Sequence, residues 1–214
     1  MKTSQTGWVL PSVMALLLMV SLTAWTQARQ LWLQEQVLKL EDQRVRHRYL
    51  AEAVTRMALT DIWAQTRSKE GMFFPTTRTE RDILRTRLGT TPCREGICLP
   101  NSTSGDALPT PNLADWLDRI DQAQNVSASS LPDPQLQACY WVEVWVSADD
   151  ASDSTSESAP PRFYYRITSL VWGGMTGARA AVQAVWQRDA AASDAALHPG
   201  VPAGRWLSWH GLTP

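Results

Sequence analysis

A chain of 214 residues, 44% of them apolar and with a formal net charge of −1, has room for one domain plus an appendage. That balance excludes a disordered protein, and with no dense basic block it also excludes nucleic acid as the main partner. Three Cys, two of them close together, suit an oxidising compartment with one bridge and a leftover thiol. Eleven Trp, several in the C-terminal half, point to broad packing or contact surfaces.

The chain opens with a short hydrophilic segment, MKTSQTG, residues 1–7. No charged residue then lies between Lys2 and Arg29, and no Gly or Pro interrupts the run from Ser12 to Lys69. A bilayer core of ~30 Å needs ~20 helical residues. Residues 8–28 supply 21, with Trp8 and Trp25 where interfacial aromatics sit, and Pro11 near enough to the helix start to be tolerated. Lys2 and the amino terminus on one side, with Arg29 on the other, orient the N-terminus to the cytoplasm. Residues 29–68 keep helical spacing but become charged. Leu33, Val37, Leu40, Val45, Tyr49, Ala53, Met57 and Ile62 predict one continuous apolar stripe laid against a domain. Gln34, Glu41, Gln43, Arg46, Glu52 and Arg56 lie opposite, and Glu35–Lys39 and Glu52–Arg56 are acid-first i,i+4 pairs. The helix is expected to run for about 55 residues, roughly 80 Å at 1.5 Å per residue. Two ordinary interpretations stand beside a specialised one. In the first a signal peptide ends at Thr26-Gln27-Ala28, so that the mature chain begins at Arg29; in the second the segment is a signal anchor that is never processed.

Residues 69–137 form a loop-rich connector with short helices. Thr79 is expected to cap a helix over Glu80–Arg87 that carries Arg81, Arg85 and Arg87. An anionic ligand there competes with a plain solvated face. In TPCREGICLP, a tight turn containing Gly96 can bring the Cα atoms of Cys93 and Cys98 within disulfide reach. The pairing of Cys139 stays open, since it can compete for either partner. A metal reading needs a fourth ligand beside the three Cys, and His47, His198 and His210 are poorly spaced to provide it. A Pro-, Ser-, Asn- and Asp-rich stretch follows, holding one helical island, Leu113–Gln122, with Asn112 as its N-cap.

From Ala138 the period becomes two. Ala138, Tyr140, Val142, Val144 and Val146 point one way, with Cys139, Trp141, Glu143 and Trp145 opposite. The acidic segment 147–161 reads as a solvated hairpin loop, because Asp149, Asp150, Asp153 and Glu157 lack calcium-loop spacing. Arg162–Gly173 and Ala178–Arg188 are two further strands joined by a glycine turn. In the tail, Trp206, Ser208 and His210 alternate against Leu207 and Trp209, which predicts an edge strand. Residues 138–214 are thus an antiparallel sheet and tail. The fold class is α+β: a long N-terminal helix packed on a three- or four-stranded antiparallel sheet. No nucleophile–base pair stands out, no cofactor or metal is implied, and an enzyme is not expected.

Several of these features carry a family resemblance. A hydrophilic leader ending in Gly7 directly before the apolar run resembles the class III leader of type IV pilins and pseudopilins. The resemblance implies that prepilin peptidase cuts between Gly7 and Trp8, and that Trp8 becomes the N-methylated terminus. Most pilins carry Glu at the fifth mature position; here that position is Ser12, and minor pilins of the PilX type and GspK-type pseudopilins tend to lack this Glu. Tyr165-Arg166-Ile167-Thr168, the glycine turn, the Ala-rich Val182-Gln-x-Val-Trp186 segment and the close Cys pair before a Pro-rich loop are similar to the PilX-type C-terminal sheet. The resemblance implies a non-catalytic minor pilin in the bacterial inner membrane, anchored by residues 8–28 with its domain in the periplasm. It would join the pilus through other minor pilins, the major pilin and a tip adhesin, with a part in adhesion and motility. A type II secretion pseudopilin is the same-class alternative, although those carry a larger helical insertion. A signal-anchored periplasmic binding or sensor domain is the alternative from another class.

Overall fold

The protein is seen in a computed structural model, which describes residues 9–63, 73–91, 93–99, 117–118, 120–146, 162–174, 178–188 and 204–212. Two compact units divide the chain, residues 1–43 and 44–214. Helix α1 spans Val9–Trp63, 55 residues, and contributes to both. In length and composition it suffices to cross a membrane. The described part of the first unit is helix alone, residues 9–43.

The second unit sets the remainder of α1 on a sheet. Four long strands, β4 (Leu136–Val146), β5 (Phe163–Gly173), β6 (Arg179–Arg188) and β7 (Gly204–Leu212), form an antiparallel array in chain order. Short strands β1 (Cys93–Arg94), β2 (Ile97–Cys98) and β3 (Gln124–Asn125) extend it, with β2 parallel to β4 and β3 antiparallel to it. The α+β class and the helix-on-sheet architecture are as expected.

Strand register sorts the side chains into two faces. One cross-strand row runs Val142, Ile167, Ala184, Trp209, and the next runs Val144, Tyr165, Trp186, Trp206. Residues of these rows share the core with Ala51, Val54, Ala58, Leu59 and Ile62 of α1. The opposite face carries the rows Glu143, Arg166, Val185, Ser208 and Trp141, Thr168, Gln183, His210.

The stripe expected along α1 is not the one the sheet selects. Of those positions that fall in the second unit, only Ile62 is buried; Val45, Tyr49 (66% exposed), Ala53 and Met57 are exposed. The sheet takes the adjacent arc, where Ala51 and Ala58 are fully buried and let the helix backbone come close. Thr55 is buried there too. Its hydroxyl lies 2.8 Å from that of Ser169, and both hydroxyls reach the carbonyl of Ala51, at 2.9 Å and 2.8 Å. Flanking contacts extend the seam. His47 Nε2 lies 3.1 Å from the Gly173 carbonyl, and Tyr140 donates to the Asp61 carboxylate at 2.6 Å. Large apolar side chains would have held the helix away from these polar partners.

Helix α2 spans Arg78–Leu88 and is capped by Thr77, two residues before the expected Thr79. Thr77 and Glu80 form a capping box, in which the Glu80 amide donates to Thr77 Oγ1 and the Thr77 amide to the Glu80 carboxylate. Burial alone would raise Glu80, but hydrogen bonds from Thr76 and Thr77 outweigh it and hold the carboxyl below its usual value. Of the helix expected over residues 113–122, Asn112 and residues 113–116 lie outside the described residues, and the described part ends in a 3-10 turn, Ile120–Gln122. That turn aims the Gln122 carbonyl at the Gly96 amide, 2.7 Å away, and leads into β3. The loop 147–161 also lies outside the described residues.

Strand β7 confirms the expected edge strand but not its alternation. Its pairing with β6 slips between Val185 and Trp186, so Leu207 is an extra residue in the ladder. The bulge brings Trp206 and Trp209 to the same face, where their rings meet edge-on with centroids 4.9 Å apart.

Ala58→Leu should therefore overpack the seam and lower stability by about 1–3 kcal/mol. Ala53→Leu, on the exposed arc, should change it by less than about 0.5 kcal/mol. Urea unfolding of the detergent-solubilised chain measures both, and equal effects would mean that α1 docks by another face.

Candidate assembly surface

In the first unit the helix offers apolar side chains on all sides. Leu10, Met14, Leu17, Leu18, Leu22 and Trp25 are all exposed, and residues 9–28 carry no charge. Polar side chains here satisfy themselves within the helix. Thr23 Oγ1 donates to the Val20 carbonyl and Thr26 Oγ1 to the Thr23 carbonyl, each at 2.9 Å. Such back-bonding leaves little polar surface to desolvate in hydrocarbon. Ser12, exposed and uncharged, lies in the first turns of α1. Charge begins beyond Arg29, with Glu35 and Lys39 paired at 2.7 Å. Gly7 and Trp8 lie outside the described residues.

In the second unit a hairpin sits at the β1 edge of the sheet. Cys93 and Cys98 face each other across it, joined by a disulfide with Cα atoms 4.1 Å apart. Its turn is Glu95-Gly96, both with positive φ (49° and 75°), as a two-residue type I′ turn requires. Gly96 has a second constraint: a Cβ there would lie 2.7 Å from Gln124 Cβ and 2.9 Å from the Tyr140 carbonyl. Its own carbonyl accepts from Val142 N at 2.6 Å. The hairpin is thus locked both covalently and by its backbone against β3 and β4.

Cys139 is a free, fully buried thiol in the same apolar cluster as the bridge, with Trp141, Leu170 and Ala181 around it. Burial pushes it up to about 12, so the reactive thiolate is suppressed. Among the described residues no group of His, Cys, Asp and Glu could hold a metal ion.

One polar feature of this unit has no counterpart in the sequence reading. Glu143 and Arg166, directly opposite on β4 and β5, form an ion pair buried on the sheet face away from the helix. Arg166 also lies 5.9 Å over the Trp145 ring, which stacks on Tyr164 at 5.8 Å. Period-two spacing puts Glu143 and Arg166 on a buried face, but only the strand register reveals them as a pair. On α2, the arginines noted in the sequence separate. Arg87 lies 5.4 Å over the Phe73 ring, whereas Arg81 and Arg85 share another flank with Arg78.

Residues 94–188, from the second residue of β1 to the last of β6, match the family model for the C-terminal region of the type IV pilus assembly protein PilX. Over these residues, a little under half of the chain, the protein carries a PilX-type C-terminal region. The match spans the hairpin and the three central strands, while α1, α2 and β7 lie outside it. No curated protein and no solved structure matches the chain. That match supports involvement of the protein in type IV pilus assembly, alongside other pilus components. A long apolar helix fits membrane anchoring of such a protein.

Iodoacetamide at pH 8 should leave Cys139 unmodified in the native chain and alkylate that one thiol after denaturation without reductant. Rapid labelling of the native protein, read by mass spectrometry, would contradict the buried thiol.

Proposed function

We propose that this protein is a minor pilin that helps to start or cap a type IV pilus. The observation that carries the proposal is the PilX match over residues 94–188 in a chain whose N-terminal helix is long and apolar enough to enter a membrane. Prepilin peptidase removes residues 1–7, cutting between Gly7 and Trp8, and Trp8 becomes the methylated terminus. Residues 8–28 hold the subunit in the bacterial inner membrane with its domain in the periplasm. The Cys93–Cys98 bridge suits that oxidising compartment.

Assembly proceeds by lateral packing of apolar helices from other minor pilins and the major pilin. The exposed apolar side chains of residues 10–40 supply that contact. Val45, Tyr49 and Met57, which the protein's own sheet leaves uncovered, continue the apolar surface within the second unit.

Ser12 bears on the subunit's place in the polymer. A carboxylate at the fifth mature position, buried among apolar helices, needs the terminal ammonium of a neighbouring subunit, because an unpaired buried charge is costly. A serine hydroxyl carries no such requirement. A subunit with Ser12 is therefore suited to the end of the polymer, where one axial neighbour is absent. There it would meet a tip adhesin and contribute to adhesion and motility.

Mass spectrometry of the mature N-terminus from the membrane fraction tests the processing. A chain beginning at methylated Trp8 is expected; one beginning at Arg29 identifies a cleaved signal peptide, and retained Met1 identifies an uncleaved anchor. Ser12→Glu should still insert but should change the number or position of the subunits incorporated into pili. Immunogold counts along sheared pili that match those of the unaltered protein would remove the case for a tip position.

A further inference from the structure

Helix α2 carries a group of cations that the proposed assembly role leaves unexplained. At 100° per residue, Arg78, Arg81 and Arg85 fall within about a 60° arc of its circumference. Leu84 and Leu88, both buried, occupy the neighbouring arc that faces the core. Arg81 borders that apolar arc. The residue is partly buried, and its Nε is shielded from solvent without a hydrogen-bond partner among the described residues. Burial, and then the like charge of Arg85, pull Arg81 below the ordinary guanidinium value; Asp82 opposes this and Arg78 adds to it. Three cations thus crowd one flank. Asp82, the carboxylate that acts on Arg81, sits on the edge of the arc, and no salt bridge joins it to any of the three among the described residues. Glu80 is occupied at the helix start by Thr76 and Thr77. Arg87 points to the opposite side, over Phe73.

We propose that Arg78, Arg81 and Arg85 form an oxyanion site for a phosphate group. A shielded donor with no partner costs free energy that a bound acceptor recovers. Crowded guanidinium groups repel until an anion is placed between them, and their forked donors match the tetrahedral oxygens of phosphate. A single carboxylate presents fewer oxygens and less charge to three cations. The ligand approaches along the flank of α2, because the capping box already engages the Thr76, Thr77 and Glu80 amides at the helix start. The phosphate can be free or can belong to the headgroup of an anionic lipid.

The full chain in a zwitterionic detergent provides the test. Inorganic phosphate, glycerophosphoglycerol as a soluble lipid headgroup, and chloride at equal ionic strength are titrated while the arginine Nε–Hε resonances are followed by NMR. Saturable movement of the Arg81 resonance with a phosphate probe, but not with chloride, is expected. Saturation by inorganic phosphate alone supports a free-phosphate ligand, and saturation by glycerophosphoglycerol supports a lipid headgroup. Arg78→Gln/Arg85→Gln, which changes only exposed side chains, should weaken binding by about tenfold or more, the scale of losing charge-assisted hydrogen bonds. Arg81→Lys keeps the charge but removes the fork and should also weaken it, with circular dichroism confirming that both variants fold. A response to phosphate no larger than to chloride, or one unchanged in the double variant, overturns the proposal.

Discussion

The second unit depends on the close approach of α1 to its sheet at Ala51 and Ala58. Two alanines with no exposed surface bring the helix backbone within reach of β5, so that the Ser169 hydroxyl can reach the Ala51 carbonyl and Thr55. Buried hydroxyls at a seam are costly if unpaired and specific if paired. Two hydroxyl hydrogens are shared among three short contacts, so any slide of the helix along the sheet breaks more than one of them. Apolar packing supplies most of the driving force through Val54, Leu59 and Ile62, while the hydroxyl cluster sets the register. His47 near Gly173 and Asp61 near Tyr140 extend that register over fifteen residues of helix, counted from 47 to 61.

The same seam shows what the sequence makes visible and what it conceals. Strands β4, β5 and β6 were legible because β4 alternates from Ala138, β5 is rich in aromatic and β-branched residues and a glycine turn separates β5 from β6, and their ends were placed within two residues. The extent of α1 was equally plain, since nothing in its interior breaks a helix. Its docking face was not. A periodicity search rewards large apolar residues, and Val45, Tyr49 and Met57 form a regular series. The sheet instead selected Ala51, Thr55 and Ala58, whose small volume is the reason for their burial. Trp206 and Trp209 were separated for a related reason. Strict alternation assumes an unbroken ladder, and the extra residue at Leu207 resets it.

Within the candidate assembly surface, chemistry that is local in sequence was readable and chemistry that spans strands was not. Cys93 and Cys98 lie five residues apart around a glycine, and the turn that joins them follows from those few residues. Glu143 and Arg166 are 23 residues apart, and their pairing exists only once β4 and β5 are in register. A buried ion pair adds little net stability, because desolvation offsets attraction. It does penalise misalignment: a one-residue slip of β5 would turn Arg166 toward the apolar core and leave Glu143 without its partner. The disulfide hairpin and this pair therefore restrict β4 from both sides, the first through its β2 and β3 edge and the second through β5.

The apolar half of α1 follows a different rule, since its threonine hydroxyls are satisfied within the helix itself. Thr23 and Thr26 give their hydroxyl hydrogens to carbonyls of the same helix, so neither depends on a partner helix. Ser12 belongs to the same chemical class, a short hydroxyl in an uncharged stretch. A carboxylate in that place would tie the energy of the helix to the presence of an ammonium group nearby, by several kcal/mol in a medium of low dielectric constant. A hydroxyl leaves that energy nearly independent of which neighbour is present. The sequence thus removes position-dependent electrostatics from the apolar half of α1. Specific polar contacts are concentrated instead in the domain, where β-sheet register and a covalent bridge hold the partners in place.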